Sequence, residues 1–198
     1  MQRCDEKELE KLFNITYLPH LEYAHFYVET YLQKKCRKAH ARGRIGDLAI
    51  WLGQLHAKEL KERAIPDVTI QWMGEKKGYG VLANKAFKRW TFIGEYTGVV
   101  RRRRIMFPDL NDYCFMYPRE WISLKAFTID SEREGNFTRF INHGDCPNLE
   151  SIGVFYDKMM HIMFRTIKDI APGEELTYDY GDVYWDKREK APELIYKK

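Results

Sequence analysis

RFINHGDCPN, residues 139–148, sets an arginine, two asparagines, a histidine, an aspartate and a cysteine around the apolar pair Phe140–Ile141. Three readings compete for it. A structural zinc site needs four ligands in a tetrahedron. His143, Asp145 and Cys146 supply only part of one, with no other Cys or His pair nearby in sequence. A Cys146 nucleophile needs a neighbour that lowers its pKa and an oxyanion hole, and no nucleophile elbow or phosphatase-type loop surrounds it. A turn needs only Asn142, Gly144, Asp145 and Pro147, all turn formers. The turn explains the backbone and leaves Arg139, Asn142 and His143 without a role.

Downstream, GEELTYDYG (173–181) alternates so that Leu176, Tyr178 and Tyr180 share one face of an extended segment, which suits buried strand tyrosines as well as catalytic ones. Upstream, GYG at 78–80 is too short for a dinucleotide or phosphate loop, which needs further glycines and a following helix. It signals a close backbone approach. Between Pro66 and Gly181 the runs VTIQWM, GYGVLA, WTFIGEYTGVV, KAFTID, MMHIMFRTI and ELTYDYG are punctuated by Gly, Asn, Asp and Pro, which predicts a mainly β region.

Residues 5 to 63 read differently. In GRIGDLAIWLGQLHAKELKERAIP (43–66), Ile45, Leu48, Leu52 and Leu55 recur at three- and four-residue steps between Asp47 and Pro66, predicting one amphipathic helix. An earlier helix runs through LEYAHFYVETYLQKKC (21–36), its basic residues at the C-terminal end where they complement the helix dipole. With 198 residues, 44% of them hydrophobic, the chain can bury a core of ordinary domain size. No window approaches an uninterrupted apolar membrane span, and MQRCDEKELEKLF lacks the apolar run of a signal peptide, so a soluble intracellular protein is expected. Cys4, Cys36, Cys114 and Cys146 are scattered without paired spacing and read as reduced thiols. The net charge is only +4, but cations gather at Lys34, Lys35, Arg37, Lys38, Arg42 and Arg44, and again at Arg101 to Arg104. Each cluster is either a solvated face or a contact for an acidic partner such as nucleic acid.

Taken in chain order, KGYGVLANKAFKRWTFIGEYTG, DYCF, FTIDSEREGNFTRFINHGDCPN and GEELTYDYGDVYWD resemble a SET domain, the lysine methyltransferase module that uses S-adenosylmethionine. The resemblance spans residues 68 to 186 and is most specific in the two C-terminal motifs. It implies a mainly β fold of small curved sheets (a β-clip), with the RFINHG segment and the C-terminal strand in a knot-like crossing, preceded by a helical N-terminal extension. The domain reading is 1–66 helical, 67–183 SET domain, and 184–198 a tail that closes the site. Among cofactor contacts the resemblance implies Lys77, Gly78 and Tyr79 through backbone, Arg139, Asn142 and His143 in the RFINH segment, and Tyr184 stacking on adenine. It makes Tyr180 the catalytic tyrosine, Tyr178 the Phe/Tyr position that limits methylation, and Tyr113 a further channel residue.

There are departures from the family pattern. Many chromatin-directed relatives carry Cys directly after the NH-x triplet and three more in a C-terminal zinc cluster. Here Asp145 holds that position, Cys146 follows one place late, and no Cys comes after it. No metal is implied. The type is compact, without pre-SET or post-SET cysteines, and similar to bacterial and viral members. The tail from Asp182 to Lys198, or a second subunit in a homodimer, is then expected to wall the channel. The expected activity is mono- or dimethylation of lysine in histones or histone-like basic proteins. The alternative is a catalytically weak module associated with chromatin or nucleic acid. The expected location is cytoplasmic or chromatin-associated, with secretion into a host cell if the source is an intracellular bacterium.

Overall fold

The computed structural model describes residues 2–3, 5–63, 65–103, 111–117, 127–182 and 184–185. Its N-terminal region runs β1 (Gln2–Arg3), α1 (Glu6–Phe13), β2 (Thr16–Tyr17), β3 (Glu22–Tyr23), α2 (Phe26–Ala41), α3 (Asp47–Leu55) and α4 (Ala57–Glu62). Strands follow: β4 (Val68–Trp72), β5 (Tyr79–Ala83), β6 (Phe92–Glu95), β7 (Gly98–Arg102), β8 (Cys114–Tyr117) and β9 (Phe127–Gly135). After a 3-10 turn at Phe137–Phe140 come β10 (Asn142–His143), β11 (Leu149–Tyr156), β12 (Met159–Thr166) and β13 (Thr177–Tyr178). Among the described residues no helix is long and apolar enough to cross a membrane.

Helix α1 begins where the Asp5 side chain accepts from Lys7 N at 2.9 Å, carries Glu6 and Glu8 in its first turn, and ends at Asn14 in the left-handed region. Helix α2 starts later than the sequence suggested, because Glu22–Tyr23 is drawn into a strand. It buries Val28, Leu32, Cys36 and Ala39 at three- and four-residue steps. The single helix expected over 43–66 is two, broken at His56, and its buried face is not the expected stripe. Ile45 and Leu52 are buried, but Leu48 and Leu55 are more than half exposed. The reason is Gly53, which faces β11 so closely that a Cβ there would overlap the Phe155 carbonyl. Backbone approach, not side-chain size, sets the orientation. Leu52 and Leu60 then pack on Val154 and Met163.

Among the described residues, four small sheets surround one main core. They are β1-β4-β5, β11-β12-β6, β10-β13, and β2-β9-β7-β3 with β8 on β9. LESIGVFY (β11) and CFMY (β8) are strands that the sequence reading passed over. Most of their side chains are only partly buried, so neither displays a clean alternation. The β11–β12 hairpin turns through Asp157 and Lys158, both at positive φ, as a tight two-residue connection requires. The expected helical N-terminal region also supplies strands, since β2 pairs parallel with β9 and β3 with β7. The face of β12 bearing Ile162 and Phe164 points into the main core with Val100, Ile129, Ile141 and Leu176.

Residues 174–178 are gripped on both sides. Toward β5, Leu176 N donates to the Val81 carbonyl at 2.8 Å and Ala83 N to that of Glu174 at 3.0 Å. Toward β10, Asn142 and His143 pair parallel with Thr177 and Tyr178. Asn148 adds a clamp, its Oδ1 accepting from Thr177 N at 2.9 Å and its Nδ2 donating to the Glu175 carbonyl at 2.7 Å. Gly144 serves the crossing too, its N–H donating to the Tyr178 carbonyl at 3.2 Å.

Gly53→Ala tests the α3 packing. Ala is favoured over Gly in an exposed helix by about 1 kcal/mol, yet overlap with Phe155 should make this variant less stable by roughly 1–3 kcal/mol. Urea unfolding would show the sign directly, and a gain in stability would contradict the packing.

Candidate active site

The 3-10 turn that carries Arg139 is capped by Asn136, whose Oδ1 accepts from Thr138 N at 3.0 Å. It delivers an arginine that is 8% exposed, whose guanidinium lies 3.8 Å over the Tyr113 ring and donates from Nη2 to the Glu132 carbonyl at 2.9 Å. The Arg139 Nε is buried without a hydrogen-bond partner. Burial pulls the arginine's pKa below its ordinary value, against the opposing influence of Tyr113 and Tyr96.

From β10, Asn142 Nδ2 donates to the Tyr79 carbonyl at 3.1 Å and to Glu175 Oε1 at 3.0 Å. Glu175 Oε2 meets Lys77 Nζ at 2.7 Å, so one carboxylate ties the 77–80 segment to the RFINH segment. Here the glycines find their reasons. Gly78 sits at φ +68, and a Cβ on Gly80 would come within 3.0 Å of Met73, Glu175 and Asn142. His143 Nδ1 accepts from Tyr180 N at 3.3 Å, and its ring lies 5.1 Å from Trp185.

The Tyr180 hydroxyl donates to the Ile141 carbonyl at 3.1 Å. Its ring stands 4.4 Å from Tyr184 and 4.8 Å from Tyr178. Burial, reinforced by Tyr184 and Tyr113, raises its pKa well above the ordinary phenol, so the hydroxyl keeps its proton at neutral pH. Tyr178 packs on Phe164 at 4.8 Å and Phe115 at 6.2 Å. Tyr113 is held by its backbone, its carbonyl accepting from the Tyr96 hydroxyl at 2.7 Å and its N–H donating to Asn111 Oδ1 at 2.8 Å.

These side chains wall two cavities. The larger, about 490 Å³, is lined by nine of the ten residues singled out from sequence: Lys77, Gly78, Tyr79, Tyr113, Arg139, Asn142, His143, Tyr180 and Tyr184. The tenth, Tyr178, lines the smaller cavity of about 320 Å³ with Tyr96, Phe115 and Met116. Asp112, Tyr180 and Tyr184 belong to both. The tail expected to close the site contributes Tyr184 and Trp185 to the larger cavity. Residues 186–198, including Tyr196, lie outside the described residues, as do Cys4 and Arg104.

Sequence reasoning missed Trp72, Phe140 and Glu175. Trp72 closes a strand whose outer face looked like ordinary surface. Phe140 counted only as an apolar neighbour, although its ring is backed by Phe13 of α1 at 4.4 Å. The signal for Glu175 was a carboxylate beside an apolar strand position. Among the described residues, no group of three or more His, Cys, Asp or Glu side chains could hold a metal ion.

The family model of the SET domain matches residues 78–181. This chain belongs to the SET-domain family. The SET match holds the 77–80 loop from Gly78 onward, the RFINH segment and Tyr180. Histone-lysine N-methyltransferase Set8 of Drosophila melanogaster is 36% identical over 140 residues, 67% of this chain and 20% of the relative. Histone-lysine N-methyltransferase SUV39H2 of Homo sapiens is 33% identical over 130 residues, 59% of this chain and 32% of the relative. This chain therefore spans only a minor part of the curated relatives it matches. Among solved structures, ATXR5 in complex with histone H3.1 superposes at a TM-score of 0.66 with 19% identity, over 89% of this chain and 85% of that one. An autoinhibited ctPRC2 bound to S-adenosylmethionine gives 0.54 with 25% identity, over 68% of this chain and 17% of that one. The fold expected from the sequence, mainly β with small curled sheets, is the one found.

Glu175→Ala should cost about 1–2 kcal/mol of unfolding free energy, mostly through the acceptor lost to Asn142. The half-exposed Lys77 pair adds little. Glu175→Gln keeps an acceptor and should stay near wild type in the same denaturation series.

Proposed function

We propose that this SET domain is a protein-lysine N-methyltransferase that takes its methyl group from S-adenosylmethionine. The observation that supports it most is the sharing of Tyr180 and Tyr184 between a large polar-rimmed cavity and a smaller aromatic one. Two reactants entering from different sides would meet there. The larger cavity fits the cofactor: its volume suits a ligand of that size. Arg139 brings a buried guanidinium with an unpartnered Nε for a carboxylate, with Lys77 at the rim. Asn142 and His143 would take the amino group and the adenine edge, and Tyr184 would face the adenine.

When bound, S-adenosylmethionine supplies an electrophilic methyl on a sulfonium. The chain's task is to align an amine with it, the amine having given its proton to bulk water. The nitrogen then takes the methyl, and the C–S bond electrons leave with the sulfur as a neutral thioether. A lysine amine has a pKa of about 10.4 in water. In the smaller cavity Tyr96, Phe115, Tyr178 and Tyr180 replace water around it, which disfavours the ammonium form. Tyr180 is no base in this scheme, because its raised pKa keeps it neutral. With its proton committed to the Ile141 carbonyl, the oxygen is left as an acceptor that would orient the amine.

Histones or histone-like basic proteins are the substrate class, since Set8 and SUV39H2 bear the name histone-lysine methyltransferase. A chromatin-associated location follows from the same names. The boundaries 1–66, 67–183 and 184–198 remain our division of the chain, with the N-terminal part docked by its strands. Tyr178 lies against Phe115 and Tyr180 in the smaller cavity, where a hydroxyl leaves less room for a methylated nitrogen, so the product is chiefly monomethyl-lysine.

Incubation with labelled S-adenosylmethionine and a panel of histones and bacterial basic proteins should label at least one, and Tyr180→Phe should lower the rate at least about a hundredfold. No Tyr180-dependent label on any of them would sink the assignment. Mass spectrometry of Tyr178→Phe should show added di- or trimethylation, and an unchanged product count would remove Tyr178 from that role. The rate should climb with pH as the amine deprotonates, without a descending limb below about pH 10. Such a limb would mean an ionising tyrosine in the mechanism.

A further inference from the structure

Helix α2 carries a second surface that the catalytic reading does not use. Lys34, Lys35, Arg37, Lys38, Arg42 and Arg44 are all exposed, and residues 34–46 contain no Asp or Glu. Among the described residues none of the six is in an ion pair. None lines either cavity of the site. The other basic cluster is different in kind: Arg101 is spent on Asp130 at 2.7 Å, and Arg103 also has partners.

The ordinary explanation for cations at a helix end is compensation of the dipole. That accounts for about half an elementary charge within the last turn. Six cations spread from Lys34 to Arg44 exceed it many times over. Lys34, Lys38 and Arg42 stand at four-residue steps, a row about 12 Å long with its members about 6 Å apart. A nucleic-acid duplex presents about seven phosphates along the same length of its axis. Residues 34–44 include no Phe, Tyr or Trp, and Tyr31 of the preceding turn is only partly exposed and lies under Lys35, so no aromatic ring alternates with the cations along the row.

We infer that this face of α2 docks on the phosphate backbone of a duplex nucleic acid, without reading its sequence. The partner is a duplex because the surface offers a regular row of point charges, while the strongly exposed rings of the helix, Phe26 and Tyr27, stand about 10–12 Å before its first member. Contacts of this kind position a protein along a duplex and leave base identity unread. The buried side of the helix, Val28, Leu32, Cys36 and Ala39, stays on the core, so docking asks for no rearrangement.

Fluorescence anisotropy with a labelled duplex of about 20 base pairs tests this between about 50 and 200 mM salt. Affinity should fall linearly on a double-logarithmic plot with a slope of about −5, the value for six phosphate contacts. The triple variant Lys34→Gln, Lys38→Gln, Arg42→Gln should bind at least about tenfold more weakly, with the slope reduced to about −2.5. Lys35→Gln with Arg37→Gln, at separate positions, should weaken binding too and guards against misfolding of the triple variant. Tyr180→Phe should bind like wild type, which keeps this result apart from the outcome for catalysis. Absence of salt-dependent binding, or a slope unchanged in both variants, overturns the inference. Equal affinity for a polyglutamate peptide overturns it as well, and assigns the surface to acidic proteins instead.

Discussion

The crossing of residues 174–178 between β5 and the 142–148 loop is the constraint on which the rest depends. It joins three segments that the chain delivers from far apart: the 77–80 loop, the RFINH segment and the C-terminal strand. Asn148 holds the crossing through backbone atoms on either side of Leu176, while Glu175 ties Lys77 to Asn142. The site residues follow from it. Asn142 and His143 have register partners only because Thr177 and Tyr178 lie beside them, and Tyr180 reaches the Ile141 carbonyl only from the end of that strand.

How much of this was legible in the sequence depended on the kind of signal. The site was legible because its residue types and spacings are held in short, dense motifs, and nine of ten named residues share one cavity wall. What failed depended on backbone approach. The α3 stripe of Leu48, Leu52 and Leu55 is a good amphipathic pattern, yet Gly53 turns the helix so that two of its three leucines face water. No hydrophobicity count contains that information. The two-residue strands β2 and β3 were invisible for a related reason, since their pairing is fixed by partners more than seventy positions away in the chain.

Electrostatics divides the molecule by function. In the site, titratable groups are made unreactive by burial: Tyr180 is held neutral, and Arg139 is taken out of water with one nitrogen unpartnered. In the proposed methyl transfer, such walls would act by desolvation and alignment. On α2 the charges stay fully hydrated and act at longer range, so salt screens them while leaving the cavity walls almost untouched.

The order of the strands also bears on how the protein comes into being. Segment 174–178 is among the last parts of the domain to leave a ribosome, and it supplies the wall that the two cavities share. Until it seats, Asn142 and His143 have no register partners, Gly80 faces no carboxylate, and Tyr180 is not yet beside Ile141. Such long-range closures are slow steps in folding. The binding site is thus built from contacts of long sequence separation, and the helices and hairpins, whose contacts are local, do not form it by themselves.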